Sequence, residues 1–173
     1  MDTFWDLLKI ILPSTAVCLC AFFLVKKFLD TETKKREIEI RKNATQQVIP
    51  IRLQAFERLL IFLERMHPVQ LALRMNQPGI SCDQLHREML KSIKSEFEHN
   101  ISQQLYVSSD AWDLIKTAKE ETIKIINLSF QKVNPAAKGT DLAQIIIQLT
   151  GNVEKLPNQI AIEMIRREAA KLF

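Results

Sequence analysis

Hydrophobic and polar positions divide the chain into three regimes. From Ile10 to Val25 the run IILPSTAVCLCAFFLV carries no charge over sixteen residues. At about 1.5 Å per helical residue it covers roughly 24 Å, and adding Phe4, Trp5, Leu7 and Leu8 brings it to the ~30 Å of a hydrocarbon core. This predicts a membrane anchor through residues 4–25, with Trp5 at headgroup depth and the Lys9 ammonium drawn outward on its aliphatic stem. Pro13 kinks the span or lies in its first turn. From Asp30 to Gln47 the chain is mostly charged, with Ile38, Ile40 and Val48 as sparse apolar points. That stretch reads as a helical stalk leaving the membrane.

Beyond Pro50, which marks a kink or a fresh start, the pattern becomes amphipathic. Leu53, Phe56, Leu60 and Leu63 alternate three and four apart, thickened by Leu59, Phe62 and Met66, and predict a core-facing helix over 51–66. His67-Pro68 ends it, because a residue before proline is pushed out of the α region. Val69 to Met75 adds a turn or two before the turn signal Gln77-Pro78-Gly79. Ser81 with Gln84 three residues on forms a capping box that opens a helix to about Leu105. Its stripe, Leu85, Met89, Ile93, Phe97, Ile101 and Leu105, recurs every four residues and drifts about 40° per step. Such a helix touches two neighbours or bends near Asn100.

Ser108 or Ser109 caps the next helix, expected to run to about Val133. Its seam of Ala111, Ile115, Ala118, Thr122, Ile125 and Ser129 is rich in small residues and invites close packing. Lys116, Glu120 and Lys124 stack outside it at i, i+4. Asn134-Pro135 stops it, a helix follows from Thr140 to about Thr150, and Pro157 or Asn158 starts the last. There Ala161, Ile165, Glu168 and Leu172 share a side. With only three glycines and no alternating β-branched run, the expected fold class is all-α. The domains are a transmembrane anchor over 1–29, a charged juxtamembrane stalk over 30–49 and a compact helical bundle over 50–173.

The net charge of +4 changes this picture only through its location. Residues 26–42 hold seven Lys/Arg against four Asp/Glu, whereas residues 43–173 hold sixteen against fourteen. The surplus, led by Lys26, Lys27, Lys34, Lys35 and Arg36, is membrane-proximal. It suits topology and an anionic leaflet better than a nucleic-acid groove, so no nucleic-acid partner is expected. Asp2 and Asp6 on the other flank place the N-terminus outside and the bundle in the cytoplasm. A cleaved signal peptide would need a basic start and small residues after the apolar run, where Lys26-Lys27 stand instead. Cys82 alone lies outside the apolar run, which excludes a disulfide framework and agrees with a reducing compartment. The sequons at Asn43, Asn100 and Asn127 have no meaning in that compartment.

Several segments together form a recognisable signature: Leu63-Glu64-Arg65-Met66-His67-Pro68, Glu96 through Val107 (EFEHNISQQLYV), Trp112, Lys119-Glu120-Glu121-Thr122 and the terminal Lys171-Leu172-Phe173. The chain resembles, over nearly its whole length, a family of single-span membrane proteins of the Bacteroidota with a helical cytoplasmic domain and no established activity. The resemblance implies a bacterial inner-membrane protein. It supplies no catalytic residue.

Three constellations carry candidate chemistry. Glu64-x-x-His67 and Glu96-x-x-His99 match the Glu-x-x-His motif of ferritin-like di-metal bundles, with Glu120 or Glu121 and Glu163 or Glu168 as further ligands. Against this reading, His67 abuts a proline at a helix end and Glu64 sits among arginines on the polar face. His99, Asn100, Gln103, Gln104 and Tyr106 form the densest polar cluster on an otherwise core-bearing helix: a buried network, helix-ending bonds to backbone, or an interface. Cys82 and His86 share a face, but two ligands make no zinc site. There is no glycine-rich phosphate loop and no nucleophile elbow. The expected function is therefore a non-enzymatic, membrane-anchored interaction or scaffold module without a cofactor, which docks on a protein partner or on itself. The alternative is a membrane-tethered ferritin-like di-metal protein.

Overall fold

The structure, a computed structural model, describes residues 2–134 and 136–172; the side chains of residues 2–14, 16–18, 41, 44 and 45 are outside the described set. The side chains of half of Ile10–Val25, with the expected placements of Trp5, Lys9 and Pro13, therefore fall outside the described set. Every named element is helical: α1 (Asp2–Arg65), α2 (Pro68–Met75), α3 (Cys82–Asn100), a 3₁₀ turn (Ile101–Leu105), α4 (Ser109–Gln131), α5 (Gly139–Gly151) and α6 (Pro157–Ala170). Among the described residues no helix is long and apolar enough to cross a membrane.

The chain divides into two compact units, Met1–Val48 and Ile49–Phe173. In the first, α1 carries Lys26, Lys27, Lys34, Lys35 and Arg36 exposed to solvent, and Lys35 Nζ lies 3.7 Å from Glu32 Oε1. Of the two expectations for Pro50, a kink or a fresh start, the fresh start is not found: α1 continues through it to Arg65. A proline ring removes one N–H from the ladder, leaving the carbonyl four residues back, that of Gln46, without its donor. Both Gln46 and Pro50 are exposed, so solvent can satisfy the freed carbonyl.

In the second unit the last part of α1 supplies Phe56, Leu59, Phe62, Leu63 and Met66 to a core completed by Leu71, Leu85, Met89, Ile115 and Ile146. Truncating one such fully buried leucine to alanine costs about 2–5 kcal/mol. Ser81 caps α3, accepting from Gln84 N–H at 3.2 Å, and Ser108 caps α4, accepting from Ala111 N–H at 3.1 Å. The drifting stripe of α3 behaves as its four-residue spacing requires. Leu85, Met89 and Ile93 are buried, Phe97 is half-buried between Phe62 and Trp112, and Ile101 and Leu105 emerge at 48% and 79% exposure. The α-helix itself ends at Asn100 rather than at Leu105.

Apart from α1, the most extensive helix pair is α4 with α6. Ala111, Ala118, Thr122 and Ser129 of the predicted small-residue seam are buried, with Ile126 in place of the half-exposed Ile125. On the outside, Lys116 pairs with Asp113, Lys119 with Glu120 and Lys124 with Glu121, so the expected i, i+4 stack is replaced by shorter spacings. One antiparallel bridge, Ser81 with Lys138, ties the start of α3 to the start of α5. Gly139 is required there by contact: a Cβ would lie 2.6 Å from Ile80 Cγ2 and 2.8 Å from Asn76 Oδ1.

Candidate functional site

The abrupt end of α1 organises the most polar region of the second unit. His67-Pro68 forces a corner, so the last carbonyls of α1 lose their ordinary helical donors. Phe62 C=O keeps its ordinary donor, Met66 N–H, at 3.0 Å, and the next three find others: Glu64 C=O accepts from His67 N–H at 3.2 Å. Leu63 C=O accepts from Asn158 Nδ2 at 3.1 Å, and Arg65 C=O from Arg74 Nη2 at 3.2 Å. Two remote side chains, one on α6 and one on α2, therefore cap α1. Asn158 is fully buried, and its Oδ1 accepts from Thr122 Oγ1 at 3.0 Å, which links α1, α4 and α6 through one amide.

Beside this cap lies a cleft of about 310 Å³ lined by Glu64, His67, Gln70, Asn158, Gln159, Ile162, Glu163 and Arg166. Burial pushes the His67 imidazole below its ordinary pKa despite the opposing pull of Glu64. Its Nδ1 is enclosed and has no hydrogen-bond partner among the described residues. Glu163 is held below the usual carboxylate range by its hydrogen bond to Lys155 Nζ at 2.7 Å. At the far end of the α4–α6 pair, Glu168 is buried; it accepts from Ser108 N–H at 3.1 Å and from the Ser108 hydroxyl.

The model of a family of unknown function, DUF7935, matches residues 2–172. The chain belongs to the DUF7935 family. No curated protein and no solved structure matches it.

In this DUF7935 protein the four residues of the two Glu-x-x-His motifs do not share a site. Glu64 and His67 line the cleft, whereas Glu96 pairs with Arg65 Nη2 at 2.9 Å and exposed His99 bonds Ser95 C=O through Nδ1 at 2.7 Å. Among the described residues no three His, Cys, Asp or Glu side chains converge to hold a metal. Of the polar cluster at 99–106, Asn100 Nδ2 donates to Glu96 C=O at 2.8 Å, and Gln103 is buried with its amide 3.4 Å from Ser102 Oγ. Gln104 is exposed, and Tyr106 C=O accepts from Arg52 Nε at 3.2 Å. These are mainly helix-ending bonds rather than one network. Cys82 is buried with its thiol pushed up by burial first and then by Asp141 and Asp83, while His86 stacks on Phe130 and bonds Asn127 Oδ1 at 2.8 Å.

Sequence reasoning missed Gln70, Asn158, Gln159 and Arg166. One signal pointed to Asn158: it stands three residues before Ala161 on the side of α6 that carries Ala161 and Ile165, and a polar residue on an apolar seam requires partners.

Proposed function

We propose that this protein is a non-enzymatic, membrane-anchored interaction module, with α1 crossing a bacterial inner membrane and the bundle on its cytoplasmic side. The supporting observation is the surface of α1 where its side chains are described. Leu19, Phe22, Phe23, Leu24, Val25, Phe28 and Leu29 are each between 57% and 69% exposed. At about 100° per residue these positions point around the whole circumference, not along one stripe. One partner helix would cover a stripe; a helix that is apolar all round calls for lipid or the centre of a large assembly. The crossing itself uses Phe4 to Val25, and the exposed Lys26, Lys27, Lys34, Lys35 and Arg36 that follow favour retention on the cytoplasmic face. The Bacteroidota resemblance supports the same membrane.

The interaction role rests on the apolar side chains that the drifting α3 stripe leaves uncovered, Ile101 and Leu105. A protein partner or a second copy of the chain is the expected occupant. Topology is tested by fusing reporters after Phe173: a cytoplasm-dependent reporter is active and a periplasm-dependent one silent, and the reverse pattern overturns the orientation. Chemical cross-linking of detergent-extracted protein yields a complex, whereas a strictly monomeric species without a co-purifying protein overturns the interaction role.

A further inference from the structure

Polar side chains in the bundle interior are spoken for. Asn158 bonds Leu63 and Thr122; Ser129 Oγ donates to Ile125 C=O and Thr150 Oγ1 to Ile146 C=O. The cleft between α1, α2 and α6 lies at the surface: Glu64 and His67 are half-buried, whereas Gln70, Gln159, Glu163 and Arg166 are exposed. The side chains of Glu64, Gln70, Gln159 and Arg166 line it and make no hydrogen bond or ion pair with any described residue. The other charged group in the lining, Glu163, is bound to Lys155 and also feels the Arg166 guanidinium more weakly. What remains is one carboxylate from α1 and one guanidinium from α6, facing the same space without meeting, with two amides able to donate and accept between them.

We propose that this cleft binds a small zwitterion of the free amino-acid class, its carboxylate on Arg166 and its ammonium on Glu64. A guanidinium grips a carboxylate in a fork of two hydrogen bonds, and a carboxylate accepts readily from an ammonium. A ligand with a single charge would engage only one of the two poles and forgo the other charge-assisted bond. A metal cation lacks its ligand set here. The volume, about 310 Å³, lies at the lower end of small-molecule sites and suits a single amino acid rather than a nucleotide or a lipid. His67 strengthens the assignment. Its imidazole is kept neutral by burial, so it does not cancel Glu64, and the apolar Ile162 supplies a wall for an aliphatic side chain.

The proposal does not depend on the membrane reading, since a chain that failed to insert would still carry this cleft. It is tested on the full chain in detergent by isothermal titration and thermal midpoint with each common L-amino acid at up to about 10 mM, ten times a ~1 mM dissociation constant. Acetate and methylamine, which each carry one pole, serve as comparators. At least one amino acid binds and raises the midpoint, and neither comparator does. Arg166→Gln and Glu64→Gln each weaken that binding by about tenfold or more. Both leave the fold unchanged by circular dichroism, because neither side chain is bonded within the protein. Arg58→Gln, outside the cleft, retains it. The proposal is overturned if no amino acid binds, if acetate or methylamine acts as strongly, or if either cleft variant binds undiminished.

Discussion

Asn158→Ala tests the account of how α1 ends. The wild-type amide makes two buried bonds, to Leu63 C=O at 3.1 Å and from Thr122 Oγ1 at 3.0 Å. They are not equivalent. Thr122 Oγ1 also lies 2.8 Å from Ala118 C=O, so its hydroxyl keeps an acceptor when Asn158 is truncated. Leu63 C=O has no second donor among the described residues, because His67 N–H, which would reach it in a continuing helix, bonds Glu64 C=O instead. The variant therefore leaves one buried carbonyl unsatisfied, which costs about 1–3 kcal/mol, and removes a bond with a net worth of ~1 kcal/mol. A total of about 2–4 kcal/mol follows. For a unit of this size it lowers the thermal midpoint by roughly 6–20 °C.

The assay is thermal and urea unfolding of the full chain in detergent, followed by the fluorescence of buried Trp112 in a Trp5→Phe background, so that only the bundle reports. Thr122→Ala is the control, expected to cost no more than about 1 kcal/mol, because it removes one shared bond and leaves the Leu63 carbonyl capped. A cost for Asn158→Ala below about 0.5 kcal/mol, or equal costs for the two variants, refutes the cap and reduces Asn158 to an ordinary buried amide.

Helix existence was legible in the sequence wherever periodicity and a stop signal agreed. Ser81 and Ser108 cap as their spacing demanded, and His67-Pro68 ends α1 where steric restriction before proline requires it. Pro50 was misleading because a proline's effect depends on whether the freed carbonyl is wet, and exposure is a property of the fold rather than of the dipeptide. The α3 stripe carried more information than its helix boundary did: its drift foretold that Ile101 and Leu105 would leave the core. The cleft was hidden for a different reason. Its residues come from 64–70 and 158–166, and only tertiary packing, with Asn158 bonded to both Leu63 at the end of α1 and Thr122 on α4, brings those segments together. Motif spacing led instead to Glu64, His67, Glu96 and His99, because i, i+3 spacing fixes a face of one helix and says nothing about which faces meet.

Gly139→Ala is expected to destabilise the bundle by about 1–3 kcal/mol, read as a lower urea midpoint, since its Cβ would lie 2.6 Å from Ile80 Cγ2 and 3.2 Å from Leu85 Cδ2. An unchanged midpoint would show that the junction between α3 and α5 yields without cost. The last prediction concerns pH and rests on His67, whose folded pKa lies below the ordinary value of 6.5 because of burial, with Glu64 opposing. A group with a depressed folded pKa binds its proton more readily when the chain is unfolded, so stability falls as pH drops through about 6.5 and levels off below the folded pKa. Above pH ~7.5 both states are neutral and His67 contributes no slope. Geometry agrees with the sign, because a proton on both ring nitrogens would leave the enclosed Nδ1–H without an acceptor among the described residues. The chain holds two other histidines, so the test is a difference: urea midpoints of wild type and His67→Gln between pH 7.5 and 5.5, both values chosen to bracket ~6.5. The variant should lose part of the acid-side decline, and identical slopes in the two proteins would mean that the corner at His67 opens freely enough to hydrate the imidazolium.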